Sequence, residues 1–166
     1  MSRAFVKEAD EEQSEVPERP QSPGPNYVTS AGLAALRAQL ADLQEQRRQL
    51  VARSDDLLKK ETLKLLDRDS RYFQGRIETA QVIDPAAQPR DEVAFGAVVR
   101  TVDEEGVERD FAIVGEDEAD VAAGKVSWVS PLARAIVGAR VGETVTWHRP
   151  VGDLHLEILS IAYPID

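Results

Sequence analysis

Apolar residues between Thr29 and Asp84 recur at alternating steps of three and four, first as Leu33, Leu36, Leu40, Leu43, Arg47 and Leu50, then as Leu63, Leu66, Ser70, Phe73, Ile77 and Ala80. This is the spacing of a coiled-coil seam. The two series mirror one another: Leu33 is matched to Ala80, Leu36 to Ile77, Leu40 to Phe73 and Leu50 to Leu63, about a symmetry point at Asp56–Leu57. An antiparallel helical hairpin is expected over residues 29–84, each arm about 25 residues and roughly 37 Å long at ~1.5 Å per residue. Arg47 and Asp67–Asp69 interrupt the seam and read as polar pairs that set its register. Thr29 or Ser30 supplies an N-cap hydroxyl, and Pro85 stops the second arm. Gly32 and Gly75 each cost about 1 kcal/mol against alanine inside a helix, so both are expected where the backbone packs closely.

After a short linker, Ala86–Asp91, the period changes to two. Val93 to Val102 alternates and is rich in β-branched residues, Asp103-Glu104-Glu105-Gly106 reads as a hairpin turn, and Val107 to Val114 continues as a second strand. Lys125 to Val129 reads as a further strand. Ser130-Pro131 opens a short helix with Leu132, Ala135 and Ile136 on one face, and Gly138 ends it. Val145–His148 and Leu154–Ile161 supply two final strands. The fold class is therefore α+β: a coiled-coil hairpin followed by a mostly antiparallel sheet with one helix packed on it, over residues 85–166.

Residues 1–28 hold Glu8, Asp10, Glu11, Glu12, Glu15 and Glu18 together with Pro17, Pro20, Pro23 and Pro25. With few large apolar groups to offset the entropy of ordering, this stretch is expected to be a disordered acidic tail. Charge is uneven along the chain. Lys plus Arg against Asp plus Glu runs 3 to 6 over residues 1–28, 10 to 9 over 29–84 and 7 to 15 over 85–166, within a net charge of −10. An acidic domain repels phosphates, so binding of a nucleic-acid duplex is disfavoured and a basic protein surface is the expected partner. Cysteine is absent, which excludes disulfides and thiolate metal sites. The first residues lack the apolar core of a signal peptide and no run approaches a membrane span, so a soluble cytoplasmic monomer is expected.

Candidate chemistry is sparse. Asp55 and Asp56 lie at the hairpin turn, where aspartate serves local hydrogen bonding. Two carboxylates at the end of a rigid arm could equally be delivered into a partner's cavity to help hold Mg²⁺, and Leu57 and Leu58 beside them suit insertion. The run Glu116, Asp117, Glu118, Asp120 is a solvated bend or a contact with basic groups of a partner. His148 and His155 match no zinc spacing. No nucleophilic triad, phosphate loop or paired buried carboxylate is present, so intrinsic catalysis and an intrinsic cofactor are not expected.

Over roughly residues 26–163 the chain resembles the bacterial Gre transcript cleavage factor family (GreA/GreB). The resemblance is carried by Tyr27-Val28-Thr29-Ser30-Ala31-Gly32-Leu33, by Ala80-Gln81-Val82-Ile83-Asp84, by Phe95-Gly96-Ala97, by Ile113-Val114-Gly115-Glu116-Asp117-Glu118-Ala119-Asp120, and by Val126 through Gly138 with Ser130-Pro131 at its centre. It implies an FKBP-like C-terminal domain docked at the rim of the secondary channel of RNA polymerase, with the coiled coil inserted toward the active centre. It also implies that tip carboxylates help bind the polymerase's second Mg²⁺, which hydrolyses backtracked RNA, so the factor is a cofactor of cleavage and not an enzyme. By motif position Asp117, Glu118, Asp120, Ser130 and Pro131 fall in the docking region. Three departures stand out. The family's tip run, Gly-Asp-Leu-x-Glu-Asn-Ala-Glu-Tyr, is replaced by Arg53-Ser54-Asp55-Asp56-Leu57-Leu58; each arm is shorter by about one heptad, ~10 Å; and Val129 stands where Asn or Asp is common. The alternatives are a secondary-channel modulator that does not cleave, and a binding module of the kind that regulates nucleoside diphosphate kinase. Prolyl isomerisation has only fold analogy behind it.

Overall fold

The computed structural model describes residues 15–53 and 57–165, with the side chain of Leu57 left aside. Strand β1 (Asn26–Val28) leads into helix α1 (Ser30–Val51), which is followed by helix α2 (Leu57–Thr79) and strand β2 (Ala80–Val82). Thr29 is the cap of α1: its hydroxyl accepts from the Gly32 amide at 2.9 Å. At ~1.5 Å per residue the arms are about 33 and 34 Å long.

The mirrored seam is where the period placed it. Leu36 and Leu66 are buried, and Leu33, Leu40, Leu43, Leu50, Leu63, Phe73, Ile77 and Ala80 are half-buried. Arg47 donates from Nε to Asp67 across the seam at 2.7 Å, one residue from the Leu66 that the mirror relation sets opposite it. Near the turn, the ammonium of Lys59 donates to the carbonyls of Val51 and Arg53 at 3.2 and 2.9 Å and so satisfies orphan acceptors at the end of α1. Leu58 is 77% exposed. Asp55 and Asp56 lie outside the described residues.

The C-terminal unit is a five-stranded sheet in the order β5-β4-β3-β7-β6, built from β3 (Val98–Asp103), β4 (Glu108–Val114), β5 (Lys125–Ser127), β6 (Thr144–Trp147) and β7 (Leu154–Ala162). Helix α3 (Pro131–Ile136) begins at Ser130, whose hydroxyl accepts from Ala133 at 3.2 Å. It turns Leu132, Ala133 and Ile136 onto Val99, Ile113, Leu156 and Ile158, all buried, and these make the core.

The sheet is mostly antiparallel, as the alternation implied, with one parallel pair: β4 and β5, Ala112 opposite Lys125. The ten residues between them form two short 3-10 turns, Glu116–Glu118 and Val121–Ala123, that carry the chain back to its starting side where a tight turn would have reversed it. At the base of the hairpin β1 and β2 pair in parallel, Asn26 opposite Ala80, because the intervening helices return the chain to its starting side. One expectation is corrected: residues 15–28 are not part of a free tail. Residues 15–25 lie along α2, and 26–28 are β1, whose Val28 is 1% exposed.

Candidate functional site

The hairpin meets the sheet at a polar joint. Strand β4 runs into Gly115, which is buried under β1: a Cβ at this position would sit 2.6 Å from the carbonyl oxygen of Tyr27. Without a side chain there, the following 3-10 turn comes up against the base of both arms, and each of its three carboxylates takes its own set of donors. The Glu118 carboxylate accepts from the backbone amides of Thr29 at 3.2 Å and Gly115 at 3.1 Å, and from the Thr29 hydroxyl. It lies directly on Gly32, where an added Cβ would be 2.1 Å from its Cδ. The close packing expected at Gly32 therefore has an identified neighbour.

Asp117 accepts from the Tyr72 hydroxyl at 2.5 Å and from Nε of Arg76 at 2.6 Å. Arg76 is 3% exposed and donates further to Asn26 Oδ1 at 2.7 Å and Glu116 at 3.3 Å. Asn26 closes the ring by donating to the Arg76 carbonyl at 2.7 Å. A guanidinium out of water is tolerable only when it is hydrogen-bonded and its charge is countered; here Nε and Nη2 are engaged and Asp117 and Glu116 supply the counter-charge. The same environment acts on Tyr72: burial first, then its bond to Asp117, pushes the phenol up to about 12. On the other side of β1 the Tyr27 ring lies 4.9 Å from Trp128 and 6.1 Å from Phe95, so this strand is a spline with a polar edge on the hairpin and an aromatic one on the sheet.

The residues singled out from sequence separate into three groups. Asp117 and Glu118 are in the joint, with both carboxylates engaged inside the chain. Asp120 is exposed and bonds through its backbone to Lys125, while Ser130 and Pro131 open α3. Ser130 and Pro131 line an apolar groove of about 520 Å³ with Phe111, Leu132, Trp147 and Val151. Asp55 and Asp56 are beyond the description. Arg76, Tyr72 and Asn26 were not picked out by sequence reasoning; an arginine beside a seam looks like any solvated flank until its partners, 41 and 50 residues away, are known.

The joint sets three carboxylates, Glu116, Asp117 and Glu118, against the single guanidinium of Arg76, with the remaining acceptor capacity taken by Tyr72, Thr29 and backbone amides. His148 bonds Asp153 at 2.8 Å and His155 bonds Thr146 at 2.9 Å, both at the surface. Among the described residues no group of three or more His, Asp or Glu could hold a metal ion, and no helix is long and apolar enough to cross a membrane.

The family described as Transcription elongation factor, GreA/GreB, C-term matches residues 88–163. Transcription elongation factor GreB of Neisseria meningitidis serogroup B is 37% identical over 153 residues, covering 83% of this chain and 94% of its own. Transcription elongation factor GreA of Acidiphilium cryptum is 34% identical over 151 residues, covering 82% and 96%. Among solved structures, the prokaryotic transcription elongation factor GreA/GreB from Nitrosomonas europaea aligns with 83% of this chain and 99% of its own at 20% identity and a TM-score of 0.41. With relatives of both kinds matched over nearly their whole length, the chain belongs to the GreA/GreB family of transcription elongation factors.

Proposed function

We propose that this chain docks on RNA polymerase through its sheet domain and sends the hairpin into the secondary channel, where Asp55 and Asp56 assist the Mg²⁺ that cleaves backtracked RNA. The observation that supports this most is the Arg76–Asp117–Glu118 joint. A factor that docks at one end and acts at the other must convert a docking position into a tip position across about 33 Å of helix. A loose base would lose that aim, whereas ion pairs and a paired strand hold it.

In this reading Asp117 and Glu118 serve the joint, and docking falls to Asp120, Ser130, Pro131 and the groove beside them. A partner surface rich in Lys and Arg suits the acidic domain. Catalytic metal chemistry belongs to the polymerase; the factor contributes carboxylates and position. A second reading, occlusion of the channel without cleavage, is favoured by Arg53-Ser54-Asp55-Asp56-Leu57-Leu58 standing in place of the family's tip run.

The test is RNA cleavage by a backtracked, purified elongation complex over a Mg²⁺ series, with wild-type protein and with Asp55→Ala/Asp56→Ala. Stimulated cleavage that is lost in the double variant supports the first reading. Competition with another channel-binding factor in the absence of stimulation supports the second. If neither is seen, polymerase is the wrong partner and the kinase-binding alternative takes over.

A further inference from the structure

Residues 15–23 are three triplets, Glu15-Val16-Pro17, Glu18-Arg19-Pro20 and Gln21-Ser22-Pro23, each ending in proline. A polyproline-type chain turns once in three residues, so a period of three lays the prolines along one edge and the other two positions along two more. That is how the segment meets the fold. Pro17, Pro20 and Pro23 are exposed. From the first positions, Glu18 takes the Arg71 guanidinium on both carboxylate oxygens, each 3.1 Å from Nε, and Gln21 lies over Gly75, where a Cβ would be 2.1 Å from its Nε2. From the middle positions, Val16 is half-buried, and Arg19 stacks 3.9 Å above the Tyr72 ring while donating to Asp69 at 3.4 Å. Ser22 crosses to the sheet domain and donates to Glu116 at 2.7 Å.

We propose that residues 15–22 are an intramolecular ligand for a site on α2 formed by Arg71, Tyr72, Gly75 and Asp69, and that this docked arm braces the hairpin against the sheet domain. One end grips the hairpin and the other grips Glu116, so the arm spans the joint from outside and touches the same Tyr72 that the joint uses from inside. Prolines at every third position fix φ before docking, which lowers the entropy lost on binding. The ligand class is specific: an extended, proline-spaced segment with a cation to stack on Tyr72 and an anion for Arg71. The proposal concerns the free protein and stands or falls whatever the polymerase experiment returns.

The full chain has no cysteine, so nitroxides at Leu58→Cys near the tip and Val141→Cys on the sheet domain, both exposed, report the distance between the two units. Amide order parameters of Glu15, Val16, Glu18, Arg19, Gln21 and Ser22 report docking; a docked arm reads near ~0.85 and a released one below ~0.6. Glu18→Arg, which sets two cations together, is expected to release the arm and broaden the tip-to-domain distance distribution. Arg71→Glu alone does the same, and the two substitutions together restore both readouts. An arm as mobile in the wild type as in Glu18→Arg would overturn the site. Release without broadening would overturn the brace, and failure of the charge swap to restore docking would overturn the assigned pairing.

Discussion

Replacing Arg76 with methionine keeps most of the buried stem and removes every donor of the guanidinium. Asp117, whose side chain is 11% exposed, is then left with the Tyr72 hydroxyl alone, and the Asn26 amide oxygen loses its partner in a residue 4% exposed. Removing one partner of a buried pair costs about 3–5 kcal/mol, because the remaining charge stays out of water without its counter-ion. At roughly 2–4 °C per kcal/mol for a chain of this size, the melting temperature should fall by about 6–20 °C. Arg47→Met is the internal control. It breaks an ion pair in the same hairpin, but with side chains 48% and 38% exposed, so water takes over the freed groups and the loss should be about 0–1 kcal/mol. Because Arg76 ties hairpin to sheet, its loss should also split urea unfolding into two transitions. A double-mutant cycle with Asp117→Asn should return a coupling of about 1–3 kcal/mol. An Arg76→Met loss no larger than that of Arg47→Met, or coupling indistinguishable from zero, would refute the view that this ring carries the joint.

Two further outcomes follow from the same contacts. Gly32→Ala should gain about 1 kcal/mol of helix propensity, yet its Cβ displaces the Glu118 carboxylate from three donors worth roughly 1 kcal/mol or more each, so urea unfolding should show net destabilisation. In a Glu118→Ala background the sign should reverse, and a loss in both backgrounds would defeat the explanation. For Tyr72 the folded protein holds the phenolic proton more tightly than the unfolded chain does. That stabilisation is complete below pH 10 and lost as pH rises through about 12. Stability measured across this window should decline less steeply in Tyr72→Phe than in the wild type; equal slopes would show that the phenol does not titrate as its surroundings imply.

Features that depend on near neighbours were readable from the chain. The seam register needs only the three-four step, the cap at Thr29 only a hydroxyl before a helical run, and the start of α3 only Ser130-Pro131 ahead of apolar residues. Gly106, at a φ of +79°, closes the β3–β4 turn that was read from Asp103-Glu104-Glu105-Gly106. Strand direction was less legible. Alternation marks Lys125–Ser127 as extended, but nothing within those residues says whether β4 receives them parallel or antiparallel, since both ladders expose the same faces. The proline triplets are visible as composition, which by itself points to disorder, because the contacts that order them are made to Arg71, Tyr72 and Glu116, far along the chain.

The sequence by itself therefore determined a hairpin, its register, a small sheet domain and the family to which both belong. Only the tertiary structure decided where the carboxylates go. Glu118 meets Thr29 across 89 positions and Asp117 meets Arg76 across 41. A charged side chain carries the same sign and reach whether it faces water, a partner or its own chain. Its role depends on which surface folding brings to it, and at Gly115 and Gly32 that was settled by the absence of a side chain, which let the acidic turn close onto the base of the hairpin.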